Sequence, residues 1–169
     1  MRFLVAVLLS VSVLGCMTQN IQQFLMPNGV TMYFLQPTQW RGGGIYAEID
    51  FNYKTKEETD VICNISIIDK KGIPKGISAM TFTGDNISFR LTELKVLFAE
   101  SNNNKIRITS NFNRDEFIQF MRREEIYFEI TMNDKTEKLL PSKEFIRLKT
   151  NFINDLEWSE NGILNATHH

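Results

Sequence analysis

Residues 45–53 alternate without a break: Ile45, Ala47, Ile49, Phe51 and Tyr53 fall on one side, and Tyr46, Glu48, Asp50 and Asn52 on the other. Successive side chains of an extended chain point in opposite directions, so this period of two marks a strand with one face on a core and one toward water. Ile126, Phe128, Ile130 and Met132 repeat the pattern against Tyr127, Glu129 and Thr131. Further strand-like runs occupy residues 30–35, 61–68, 77–83, 87–92, 94–99, 106–112 and 137–140, and turn-forming residues interrupt them at Pro27-Asn28-Gly29, Gly84-Asp85-Asn86 and 133–136. Connections this short suit antiparallel neighbours, because parallel strands need a crossover of a dozen or more residues.

Two segments change to helical spacing. Asn113 can cap a short helix whose first turn carries Asp115 and Glu116, with Phe117, Phe120 and Met121 on one face. Pro141 and Ser142 open a C-terminal helix with Phe145, Leu148, Phe152 and Leu156 on its apolar side, and Lys149 and Asp155 on its polar side. The expected fold is mainly β: an antiparallel β-sandwich or partly open barrel with one short helix and a C-terminal helix, an α+β arrangement. Pro37 is expected to end the strand of residues 30–35 and residues 38–44 to form a flexible loop.

The N-terminus carries a different kind of information. Arg2 precedes an apolar run over residues 3–14 broken only by two serines, and Gly15 stands directly before Cys16. A positive end, a short apolar stretch and a small residue at the cut site form an export signal. The run is too short to cross an apolar bilayer core of about 30 Å. Val13-Leu14-Gly15-Cys16 resembles the lipobox of bacterial lipoproteins, although Leu14 stands where that class usually has a small residue. The resemblance implies cleavage before Cys16, acylation of Cys16, and tethering to a membrane on the periplasmic or extracellular side of a bacterial cell envelope. The implied organisation is a signal peptide over 1–15, a tether over 16–23, one β-rich domain over 24–158 and a flexible tail over 159–169.

About 150 residues remain after cleavage, enough for one domain with a real core, and twelve of the chain's thirteen phenylalanines remain to supply much of it. The formal charge is −1, or −2 once Arg2 is lost, so nothing in the charge balance favours nucleic acid. The histidines are His168 and His169 at the C-terminus, which leaves the domain without a histidine for a zinc site or for the base of a Ser-His-Asp triad. Gly42-Gly43-Gly44 precedes a strand instead of opening a helix, unlike a phosphate-binding loop. No metal, cofactor or catalytic set is expected. Cys63 alternates with Val61, Ile65 and Ile67, and reads as a buried thiol or, were Cys16 not acylated, as its disulfide partner.

Three functional expectations follow. The first is a non-catalytic interaction or structural role in the envelope, with an envelope protein or glycan as partner. The second is a ligand-binding module for a sugar or small apolar ligand, built on Trp40, Arg41 and Tyr46; Trp40 could equally close the core. The third is a carboxylate-dependent hydrolase using Glu48 and Asp50, which share a strand face; such residues could equally keep that face soluble.

Overall fold

The computed structural model describes residues 20–56 and 59–166. The expected signal peptide over 1–15 and Cys16 lie outside that range. Ten strands pair antiparallel throughout: β1 Ile21–Leu25, β2 Thr31–Gly42, β3 Ile45–Lys54, β4 Val61–Asp69, β5 Ile77–Gly84, β6 Ile87–Arg90, β7 Thr92–Glu100, β8 Lys105–Phe112, β9 Ile126–Met132 and β10 Lys135–Pro141. Helix α1, Arg114–Met121, separates β8 from β9, and helix α2, Lys143–Ala166, follows β10.

The strand order is β6-β5-β9-β10-β2-β3-β4-β8-β7, with β1 added to β2. Strands β6 and β7 stand at opposite ends of this order, yet only Leu91 separates them in sequence. The sheet must therefore curl until its two edges come together at that residue. Leu91 is buried there, and its N–H donates to the Met80 carbonyl at 3.0 Å. The result is a curled half-barrel, the partly open form of the expected fold.

Strand β2 corrects the expected loop over 38–44. It runs through Pro37 to Gly42, and its pairing with β3 slips between Leu35 and Thr38. Proline has no N–H to give to a ladder, and a bulge is where a strand tolerates that loss. The slip also divides one edge of β2. Residues 31–35 take β1, while Trp40 and Arg41 take Pro141 and Leu140 of β10. Residues 21–23, expected in the tether, belong to β1, and α2 continues beyond residue 158 into the expected tail.

Both helices start as their sequences predict. The Asn113 side-chain oxygen accepts from the backbone N–H groups of Asp115 and Glu116, both at 3.1 Å, satisfying two donors of the first turn of α1. Ser142 Oγ accepts from the Phe145 N–H at 3.3 Å at the start of α2. The apolar side of α2 is as expected, but Lys149 is buried with it, not on the polar side. Its ammonium donates to the Arg123 carbonyl just past α1, where a cation meets the negative end of the helix. Burial pulls the Lys149 pKa down, and the nearby charges of Asp85 and Glu124 oppose that shift.

The concave side of the sheet is filled with rings. Phe82 lies almost parallel to Phe112, with centroids 5.4 Å apart, and packs against Phe128 at 4.6 Å and Phe120 at 4.9 Å. Phe145 brings α2 onto Trp40 at 4.6 Å, and Phe152 meets Tyr53 edge-on at 5.4 Å. Each fully buried phenylalanine contributes roughly 1.5–3 kcal/mol of apolar transfer. The interior is thus a packed core.

Candidate functional site

Trp40, Arg41 and Tyr46 do not form an open aromatic platform. Trp40 points to the concave side, where it is 0% exposed between Phe82, Phe128 and Phe145. It closes the core, as the second reading of this residue had it. Alternation on β2 sends Arg41 the other way, to the convex face. There it pairs across the ladder with Tyr46 and places its guanidinium 5.6 Å from the ring centroid. The guanidinium also donates to Gln39 Oε1 at 2.7 Å.

The convex face of β2, β3, β4 and β8 carries two neighbouring polar clusters, one around Glu48 and one around Asp50. The Tyr46 hydroxyl donates to Glu48 Oε1 at 2.8 Å, and the other Glu48 oxygen lies 3.8 Å from the Lys105 ammonium. Burial, then the hydrogen bond and charge of Glu48, push the Tyr46 phenol up to about 12, with Arg41 acting in the opposite direction.

Asp50 continues this row, two residues along the same strand. It is only 1% exposed although it stands on the face away from the rings. Asn64 Nδ2 donates to Oδ1 at 2.8 Å, and Arg107 Nη2 donates to Oδ2 at 2.7 Å. Arg107 Nη1 in turn donates to Ser66 Oγ at 2.8 Å. The ladder explains this convergence: Asp50 stands opposite Asn64 on β4, and Ser66 stands opposite Arg107 on β8. A buried carboxylate needs such partners, because an ion stripped of water and left unpaired is strongly destabilising.

Glu48 and Asp50 therefore share a face as expected, but each is engaged with its neighbours. Acid–base hydrolysis needs two carboxylates flanking a substrate bond. Here both serve as cross-links within the sheet. The sequence reading missed Arg107 because its relation to Asp50 exists only through the β3–β4–β8 register.

Cys63 is fully buried on the concave side and has no disulfide partner among the described residues. Burial raises its thiol pKa well above the ordinary value, and the charge of Asp50 adds to the shift. A thiol held neutral in this way is a poor nucleophile. Among the described residues no group of three or more His, Cys, Asp or Glu side chains is placed to hold a metal ion; His168 and His169 lie outside them.

Recesses lined by described residues lie elsewhere on the surface. One, of about 370 Å³, is lined by residues including Gly43, Asp69, Pro74, Met132 and Glu137. Another, of about 410 Å³, is lined by residues including Asn86, Glu124, Tyr127, Lys138 and Ile146. Neither lining includes Trp40, Arg41, Tyr46, Glu48 or Asp50. No protein-family model, curated protein or solved structure matches this chain.

Proposed function

We propose that the chain is an exported lipoprotein, anchored through acylated Cys16 to a bacterial membrane, whose domain has a non-catalytic interaction or structural role at the cell envelope. The observation that favours this reading is the join between signal and fold. Strand β1 begins at Ile21, five positions beyond Cys16. Five peptide units reach at most about 18 Å, so an acylated Cys16 holds the half-barrel against the membrane surface. Several acyl chains make that attachment stable, since each buried CH₂ contributes about 0.8 kcal/mol. Among the described residues no helix is long and apolar enough to cross a bilayer, so in this reading the lipid is the anchor. The engagement of Glu48 and Asp50 in sheet cross-links favours an interaction role over hydrolysis.

The test is fractionation of the full chain expressed in a bacterium that processes lipoproteins, beside Cys16→Ala. The parent should sediment with membranes and be released by detergent but not by high salt, and the variant should lose that behaviour. Equal partition of both into the soluble fraction would overturn the proposal.

A further inference from the structure

Strand β7, Thr92–Glu100, is an edge: its described pairing is to β8 on one side, and every one of its nine residues is exposed. Edges of natural sheets are ordinarily short, charged, interrupted by proline or covered, because free N–H and C=O groups invite another strand. This one carries Val96 at 56% exposure, Leu97 at 49% and Phe98 at 41%, followed by Ala99, with no proline.

The segment Lys95-Val96-Leu97-Phe98-Ala99-Glu100 is complementary to its own reverse. Laid antiparallel on a second copy about the midpoint of Leu97 and Phe98, it sets Lys95 against Glu100, Val96 against Ala99 and Leu97 against Phe98. Opposite charges and matched apolar pairs directly across an antiparallel ladder are stabilising.

Geometry adds an independent condition. A two-fold axis perpendicular to a sheet keeps each face on its own side, so residues that pair across it must point to the same face. In a regular strand Lys95 and Glu100, five apart, point to opposite faces. Here Val96 pairs with Ile108 and Phe98 with Arg107, which makes Leu97 an extra residue. That bulge places Lys95 and Glu100 together on the face of Thr109 and Lys105, and Val96 and Ala99 together on the face of Ile108 and Ile106. This bulge, one of two register shifts along β7, gives the Lys95–Glu100 and Val96–Ala99 pairs the common faces that self-pairing requires.

We propose that β7 is a self-association edge, pairing antiparallel with β7 of a second copy in the register Lys95 to Glu100. A lipid surface fits less well, because Lys95 and Glu100 cancel and leave no net positive charge to meet anionic headgroups. The proposal holds whether or not Cys16 is acylated.

Sedimentation equilibrium of the full chain in density-matched detergent tests it. The parent should dimerise, and Lys95→Glu or Glu100→Lys should each weaken the dimer by at least about tenfold, because the two-fold axis places the repulsion twice. Lys95→Glu combined with Glu100→Lys should restore it. A mixture of Val96→Cys and Ala99→Cys chains should oxidise to the mixed disulfide in preference to either homodimer. A parent that stays monomeric would overturn the proposal, as would a dimer indifferent to Lys95→Glu or a charge swap that fails to restore it. A monomer that binds neutral phosphatidylcholine vesicles, with binding lost in Phe98→Ser, would assign the edge to lipid instead.

Discussion

Strands β3 and β7 are of nearly equal length and both rich in apolar residues, yet one lies at the centre of the sheet and the other has no buried residue at all. Strand β3 separates its chemistry by face, with Phe51 among the rings and Asp50 in a polar cluster behind it. Strand β7 makes no such separation, since Val96, Leu97, Phe98 and Ala99 are consecutive. Strict alternation marks a strand with one face on the core and a polar face opposite. A continuous apolar run ordinarily belongs to a strand covered on both faces, whereas every residue of β7 is exposed and its described pairing leaves one edge of the ladder free for another strand. The contrast separates a strand completed by its own fold from one that a second molecule would complete.

The largest expected effect separates the two strands by stability. Phe51→Ala removes a ring packed against Phe82 and Phe117, and should cost about 3–5 kcal/mol in denaturant unfolding. Phe98→Ala, measured on dilute monomer, should cost no more than about 0.5 kcal/mol. Comparable losses at the two positions would remove the distinction between a filled face and an uncovered edge.

The polar side of β3 should follow. Asp50→Ala leaves the Arg107 guanidinium without its carboxylate and should destabilise by about 2–3 kcal/mol. That is below the cost for a fully buried pair, because the Arg107 side chain keeps 25% exposure. Replacing both Asp50 and Arg107 with leucine should recover part of that loss, since no unpaired ion remains. If the double variant were as unstable as the single one, packing and not charge would hold this face.

The smallest effect is a titration. The Tyr46 phenol should ionise near 12, against 10 for a free tyrosine, and the phenolate absorbance missing from Tyr46→Phe identifies its step. The sign follows from linkage: the unfolded chain releases this proton first. The contribution to stability is therefore intact below pH 10 and lost as pH rises from 10 to 12. Ionisation near 10 would mean that neither the burial of the phenol nor its contact with Glu48 persists in solution.

Local signals in the chain proved readable where one residue decides the outcome. The alternation of β3 and β9, the Asn113 cap and the Ser142 start of α2 all depend on neighbours close in sequence. Residues 38–44 were misread for a physical reason: Pro37 stops a regular ladder but is accommodated at a bulge, so Trp40 continues a strand into the core. Lys149 was misplaced because its apolar stem and charged tip reach the Arg123 carbonyl, a partner 26 residues away that helical spacing does not reveal. The Asp50–Arg107 pair and the edge position of β7 depend on sheet order, which no local pattern encodes.

The central claim concerns the N-terminus, and intact mass spectrometry of the protein purified from membranes tests it most directly. The account predicts a mature chain beginning at Cys16, heavier than its sequence by the mass of the attached acyl groups, with that species absent from Cys16→Ala. A chain of unmodified mass, or one cut elsewhere with Cys16 a free thiol, would contradict it.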